Sequence, residues 1–234
     1  MNETNIVSFS SPYYRRLSKT QIEHIHHASL EILERTGVRL PNDEAIALLK
    51  KGDAYVTDNN VVHIPAWRVE WALNLAPKQI ILYDQTAKPA IRMTGRKSYY
   101  GNGSDLINII DHRNDERRKP VLQDVQNLIR LLDALPNFNF IMSGFIPSDV
   151  ASQNVETIQT LVMLKNTNKP LVYVTTDLAN TQREVEMFEI AAGGSEEFRR
   201  RPFAACYINI AKPLMHNPES VEKLLFLGRI KSGP

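Results

Sequence analysis

The sequence predicts an α/β protein: an incomplete TIM (β/α) barrel of about four βα units, preceded by a small, mainly helical N-terminal unit. Three observations carry this. From about residue 95, short β-rich runs alternate with amphipathic helices roughly every 30 residues, a rhythm that argues for a parallel sheet with helices packed outside it. The glycine fingerprint of an open dinucleotide-binding sheet is missing. Gly101-Asn-Gly103-Ser-Asp-Leu lacks the third glycine and opens a β excursion instead of a helix. Finally, a complete barrel takes ~250 residues, and the part of this chain beyond the N-terminal unit accommodates only about four repeats. Periodicity alone leaves an open sheet as the alternative.

The N-terminal unit, residues 1–92, reads as follows. Ser18 with Gln21 forms a capping box. Ile22, Ile25, Leu30, Ile32 and Leu33 then recur at near-helical spacing until Gly37. A second helix spans Asn42 to Gly52. Tyr55 to Ile64 alternates around Asp58-Asn59-Asn60, a hairpin signature, and Pro65 suits the first turn of a helix over Trp67 to Leu75. Residues 93–234 form the barrel portion. Its expected strands are Lys97–Gly101, Asn139–Ser143, Leu171–Thr176 and Phe203–Asn209; its expected helices are Leu122–Ala134, Asn154–Asn166, Gln182–Ala192 and Pro218–Leu227. Leu106 to Lys119 is a β excursion in the first connection. Gly228 to Pro234 falls where a fifth strand is expected to begin.

Composition narrows the function classes. A net charge of +2 is too small to argue for nucleic acid or an anionic membrane, so neither is an expected partner. Arg199-Arg200-Arg201 and Arg113 to Lys119 read as solvated loop faces. The single cysteine, Cys206, rules out an intramolecular disulfide framework and fits a reducing, cytoplasmic setting as a buried, inert thiol. No stretch approaches the ~20 apolar residues of a membrane span, and the start lacks signal-peptide organisation. His24, His26 and His27 share a helix without a Glu or Cys partner at metalloprotease spacing, so no metal site is expected.

Barrels carry their reactive groups on the loops after the strands. Here those ends are Tyr100-Gly-Asn-Gly-Ser-Asp105, Ser143 to Asp149, Thr175-Thr-Asp177 and Asn209-Ile-Ala-Lys-Pro213. Each places a small polar group directly after an apolar run; helix capping and Asx turns are the alternative use of such residues. The candidate substrate-binding set is Tyr100, Gly101, Asn102, Gly103, Ser143, Thr175 and Asn209. Strand alternation puts Tyr173 with Thr175, Tyr207 with Asn209 and Ile141 with Ser143. Tyr99, Tyr100, Phe145, Tyr173 and Tyr207 either line a pocket for a quaternary ammonium or fill the barrel interior. Gly101 and Gly103 would let a ligand approach the backbone.

Leu17-Ser-x-x-Gln-Ile-x-x-Ile-His-x-Ala-Ser-Leu-Glu-Ile-Leu-Glu-Arg-Thr-Gly-Val38 resembles the opening of the trimethylamine methyltransferase family. Tyr100-Gly-Asn-Gly-Ser104, Asp133-Ala-Leu-Pro136, Met142-Ser143, Pro147-Ser-Asp149, Lys165-Asn-Thr-Asn-Lys-Pro170 and Arg201-Pro-Phe203 continue it, from about residue 15 to 227. The resemblance implies a TIM barrel with an N-terminal extension. It also implies methyl transfer from a methylated amine, trimethylamine or a quaternary amine such as glycine betaine, to a corrinoid carried by a partner protein. No cofactor bound directly by this chain is implied. The pyrrolysine of some members belongs to a later part of the family's barrel, so the subtype is not legible here. Around Ile210-Ala-Lys212 the sequence departs from the family's frequent Pro and Ser. Two further readings stand beside this one: a Schiff-base lyase barrel using Lys212, and a non-catalytic half-barrel that binds a partner. Unclosed strands leave edges and an apolar face that favour association, and the full-length protein is expected to be a homo-oligomer.

Overall fold

The computed structural model describes residues 15–95, 97–209 and 212–232. They divide into two compact units: residues 1–77 with 210–221, and residues 78–209 with 222–234.

In the first unit, helix α1 (Lys19–Glu31) begins on the capping box anticipated from sequence. The Gln21 amide donates to Ser18 Oγ at 3.2 Å, and the Ser18 amide donates to Gln21 Oε1 at 2.8 Å. A π-helical turn, Ile32–Thr36, extends it to Gly37. Gly37 has φ +76°, and a Cβ there would sit 2.8 Å from Val61 Cγ1 and from the Val62 carbonyl, so glycine is required twice over. Strand β1 (Val38–Arg39), helix α2 (Asp43–Lys51, capped by Asn42), strands β2 (Tyr55–Thr57) and β3 (Val61–His63) and helix α3 (Ala66–Leu75) follow. The strands form an antiparallel sheet in the order β1-β3-β2. The hairpin at Asp58-Asn59-Asn60 turns as its residues suggest, with Asn59 and Asn60 at positive φ. Residues 212–216 return to this unit: Arg39 donates to the Leu214 carbonyl, and His216 donates back to that of Arg39.

The second unit opens with a hairpin, β4 (Ile80–Tyr83) and β5 (Pro89–Met93), that the sequence reading left inside the N-terminal extension without a strand assignment. Strands β6 (Ile109–Ile110) and β7 (Arg117–Arg118) make the anticipated excursion. Helices α4 (Leu122–Ala134) and α5 (Val155–Asn166), strand β8 (Leu171–Val174), helices α6 (Leu178–Ala192) and α7 (Ser195–Arg200), strand β9 (Ala204–Tyr207) and helix α8 (Pro218–Ser232) complete the order. Helix α8 runs through Gly228, where a fifth strand was expected, and α7 was not anticipated.

The four expected strands meet in sequence order, all in parallel register. Gly101 pairs with Phe140, Ile141 with Leu171, and the whole of β8 with β9. The first expected strand is displaced and the second is reduced to isolated rungs: parallel rungs join Gly101 to Phe140, Leu106 to Phe145 and Ile141 to Leu171, so Lys97–Tyr100 precede the paired stretch. The result is a mixed α/β unit with several small sheets, none of them closed. Its core lies between the parallel strands and their helices: Val125, Ile129 and Leu132 of α4, Met163 of α5 and Phe188 of α6 close on Ile141, Leu171, Tyr173 and Phe203. Pairing puts Leu171, Tyr173, Ala204 and Cys206 on this helix-covered face and Val172, Val174, Ala205 and Tyr207 on the other. The β4–β5 hairpin bonds at the entry ends of the strands: the Tyr83 amide donates to the Pro202 carbonyl, and the Gln85 amide to that of Asn168.

Candidate functional site

The exit ends of the parallel strands were expected to carry the chemistry, but the register spreads that set along the strands: Gly101 pairs with Phe140 and Leu106 with Phe145, so Tyr100 lies beside Asn139 at the entry end, while Thr175 and Asn209 follow the exits of β8 and β9. Asn102 behaves as an extra length of backbone. Its Oδ1 accepts from the Met142 amide and its Nδ2 donates to the Met142 carbonyl, both at 2.8 Å. That pairing carries the Gly101–Phe140 rung one residue further and fixes Asn102 beside Ser143. Gly101 has no room for a side chain, since a Cβ would lie 2.3 Å from the Phe140 ring. The reason for this glycine is therefore the neighbouring strand. Gly103 is the opposite case, with nothing within 4 Å of a Cβ. Tyr100 is held only through its backbone, by Asn139 Oδ1 and the Asn139 amide, and its side chain is 69 % exposed.

Ser143 and Thr175 are buried, and by alternation they share the helix-covered face with Ile141 and Tyr173. Thr175 Oγ1 lies 2.7 Å from Thr181 Oγ1, which itself donates to the Asp177 carbonyl. Tyr207 is on the other face and half exposed, and Asn209, two residues on, is exposed. Thr175 and Asn209 thus follow residues on opposite faces. Lys212 is exposed on an isolated bridge with Met215, whereas a Schiff-base lysine works desolvated in an apolar pocket.

The proposed aromatic group divides. The Tyr173 ring lies tilted against Phe188, 4.8 Å between centroids, inside the helix–sheet core, and burial drives its hydroxyl far above the usual phenol range. Phe145 packs against the same core. The Tyr99 hydroxyl is tied to both the amide and the carbonyl of Arg92. Tyr100 and Tyr207 are the aromatics of the group whose faces are open.

Beneath the exit of β8 lies a polar cluster that the sequence reading missed. Glu184 of α6 is fully buried; its Oε1 accepts from Thr160 Oγ1 of α5 at 2.8 Å, while its Oε2 has no partner. Burial pushes its carboxyl up to about 8. Buried Lys223 of α8 donates from Nζ to the Thr175 carbonyl at 2.6 Å, and Glu156 of α5 accepts from the Thr176 amide. Glu184 stands three residues after buried Thr181 and four before Phe188, so its position on the apolar stripe of α6 was the available signal. Cys206 is half-buried, less enclosed than expected, and desolvation raises its thiol.

The Arg113 to Lys119 run is more than a solvated face. Arg118 bridges Asp111 and Asp124 at 2.9 and 2.7 Å, and Arg113 pairs with Asp111 at 3.0 Å. The Arg113 guanidinium, joined by Arg118, holds the Asp111 carboxyl far below the usual range. This network borders an open cleft of about 380 Å³ between the excursion and α4, with Ile110, Leu131 and Phe145 among its apolar walls. Arg199, Arg200 and Arg201 pair with Glu196 and Glu197. His26 is engaged by Glu70 at 2.5 Å.

Comparison with known proteins gives this geometry its context. The family model for trimethylamine methyltransferase (MTTB) matches residues 2–230, nearly the full length. The chain belongs to the trimethylamine methyltransferase family. It is 29 % identical over 198 residues to the trimethylamine methyltransferase MttB of Desulfitobacterium hafniense strain DSM 10664 / DCB-2, which covers 84 % of this chain and 40 % of that protein. Similarity to the glycine betaine methyltransferase of D. hafniense strain Y51 is 23 % over 217 residues, 92 % of this chain and 44 % of the relative. The Methanosarcina barkeri trimethylamine methyltransferase MttB is 24 % identical over 200 residues, 83 % of this chain and 40 % of the relative. The chain thus spans less than half the length of the curated relatives it matches. It is a methyltransferase-family chain. Among the described residues, no helix is long and apolar enough to cross a membrane.

Proposed function

We propose that this chain is the part of a TIM-barrel methyltransferase that supplies the first four βα units. The full protein moves a methyl group from a methylated amine, trimethylamine or a quaternary amine such as glycine betaine, to a corrinoid protein in the cytoplasm. The observation that carries the reading is the conjunction of a family match over residues 2–230 with four parallel strands paired in sequence order. Sequential parallel neighbours joined by helices are how a (β/α) barrel begins.

A corrinoid carried by a partner protein would supply the methyl acceptor. The work left to this chain is positioning. A quaternary ammonium, or trimethylamine in its protonated form, leaves as a neutral amine on losing a methyl group, so no further proton has to be supplied at the reacting nitrogen; orientation governs the rate. Tyr207 presents an open aromatic face to a cation at the exit end, whereas Tyr100 lies at the entry end beside Asn139. Gly103 leaves space beside the backbone. Asn102 sets the height of the segment that carries Gly103 through its two bonds to Met142. Ser143 and Thr175 are buried on the helix side, and Thr175 is bonded to Thr181 of α6.

The test is a chimera in which residues 2–230 replace the matched segment of the D. hafniense trimethylamine methyltransferase. It is expected to transfer isotopically labelled methyl from trimethylamine or glycine betaine to a Co(I) corrinoid protein, while the 234-residue chain alone transfers none. A folded chimera inert toward both amines overturns the proposal, as does turnover by the chain alone.

A further inference from the structure

Strand β8 leaves the sheet between two charged side chains. Its pairing with β9 ends at Val174 and Tyr207. The next peptide group but one, between Thr175 and Thr176, is held at both of its ends. Its carbonyl accepts from Lys223 Nζ of α8 at 2.6 Å, and its amide donates to Glu156 of α5, 2.9 and 3.1 Å from the two carboxylate oxygens. The peptide dipole thus turns its negative end to an ammonium and its positive end to a carboxylate, so the two contacts act in the same sense. Bonds at the two ends of one peptide polarise each other and strengthen together. Lys223 is only 5 % exposed, and an ammonium taken out of water is kept where its partners are well placed. Buried Glu184 of α6 does not draw it away below about pH 8, because desolvation keeps that carboxyl neutral.

The clamp fixes the direction of the two residues it joins. Thr175 turns to the helix side, buried and bonded to Thr181 of α6. Thr176 is exposed, and alternation puts it on the face of Val174 and Tyr207. Asp177 at once caps α6, accepting from the Asn180 amide at 2.7 Å. Thr176 is therefore the residue that this short exit turns to the open side, on the same face as the half-exposed ring of Tyr207. An aromatic face attracts a small cation, and a hydroxyl on the same face orients it.

We propose that Thr176, in place of buried Thr175, is the substrate-contacting residue of the β8 exit, and that Glu156 and Lys223 are positioning residues that aim it by gripping the Thr175–Thr176 peptide. The inference rests on the reading of the strand exits as the amine side of a methyltransferase, but the clamp has a readout that needs no turnover.

The clamp is read in the full 234-residue chain by amide hydrogen exchange below about pH 7. Glu156→Ala and Lys223→Met are each expected to speed exchange of the Thr176 amide at least about tenfold, as loss of a hydrogen bond to a charged group does. The Val172 amide, bonded to the Ile141 carbonyl inside the sheet, is expected to keep its rate. The double variant is expected to fall short of the product of the two single effects, because both side chains hold one peptide. Equal acceleration at Val172, or a double variant that reaches the full product, overturns the clamp. The contact is read in the chimera. Thr176→Val, isosteric at an exposed position, is expected to lower kcat/KM for the amine about fivefold or more, and Lys223→Met to lower it as well. Kinetics of Thr176→Val equal to those of the parent overturn the contact. A parent chimera inert toward both amines overturns the reaction and the contact with it, while the exchange rates still decide the clamp.

Discussion

The two ends of the parallel strands are built differently, although both are rich in the residues that mark the family. At the entry ends, the Asp133-Ala-Leu-Pro136 and Lys165 to Pro170 segments interlock. Asp133 Oδ1 accepts from Thr167 Oγ1 at 2.6 Å, and Lys169 Nζ donates to the carbonyls of Leu132 and Leu135, closing the last turn of α4. Gln85 of the hairpin turn adds its amide to Asn168 and its side chain to the Thr167 carbonyl. Desolvation lowers the Lys169 ammonium accordingly. At the exit ends Glu156 accepts from the Thr176 amide and Lys223 donates to the Thr175 carbonyl, but Tyr207 and Asn209 stand exposed. Saturation at the entry end holds the unit together; openness at the exit end is what a binding site needs. The same polar residue types thus serve scaffold at one end and access at the other.

The largest break expected is at Gly101. Gly101→Val forces a branched side chain into the Phe140 ring, and a loss of about 3 kcal/mol or more is expected from such overpacking, read by chemical denaturation. Full stability in this variant would show that the Gly101–Phe140 rung is not formed. Next come two side-chain anchors. Asp133→Ala leaves Thr167 and the Asn168 amide without their acceptor and is expected to cost about 1–3 kcal/mol. It is expected to leave amine affinity in the chimera untouched. Asn102→Ala is expected to cost a similar amount and also to weaken amine binding, because it releases the segment that carries Gly103. Equal effects of both variants on binding would erase the distinction between the two ends.

A smaller, pH-dependent effect comes from Glu184. Burial holds its carboxyl protonated up to about 8 in the folded chain, with Glu156 and Asp177 raising it further and Thr160 and Lys223 opposing. Unfolded, it ionises near 4.5. The folded state therefore binds the extra proton between those values. Stability contributed by the neutral carboxyl is full below about 4.5, falls through the window by up to about 1.4 kcal/mol per pH unit, and is flat above about 8. Glu184→Gln is expected to flatten the melting temperature across that window, and an unchanged slope would assign the dependence to other groups. The smallest effect belongs to Gly103→Ala. With nothing within 4 Å of its Cβ, stability is expected to change by less than about 0.5 kcal/mol. Amine affinity in the chimera is expected to fall, which a calorimetric titration measures.

Much of the fold was legible because it is written in local chemistry. The Ser18–Gln21 capping box, the asparagines of the 58–60 turn, Pro65 and the apolar stripes of α4 and α5 each fix an element by interactions within a few residues. Ile80 to Met93 was not legible as a hairpin. Its turn holds no Asn-Gly pair, and Asp84 Oδ1 makes the bend by accepting from the amides of Thr86 and Lys88. The candidate site was half legible. Strand alternation correctly paired Tyr173 with Thr175, but it carries no sign for which face meets the helices.

The sequence by itself determined the order of the elements, the parallel βα rhythm and membership of the family, since each depends on near neighbours or on motif order. Tertiary structure decided what those motifs do. It placed Tyr173 in the helix–sheet core, turned Asn102 into a surrogate backbone for Met142, and buried Glu184 and Lys223 under the exit of β8. The physical reason is common to all three. Whether a polar or aromatic side chain binds a ligand or its own protein depends on which groups stand opposite it, and those groups lie tens of residues away in the chain.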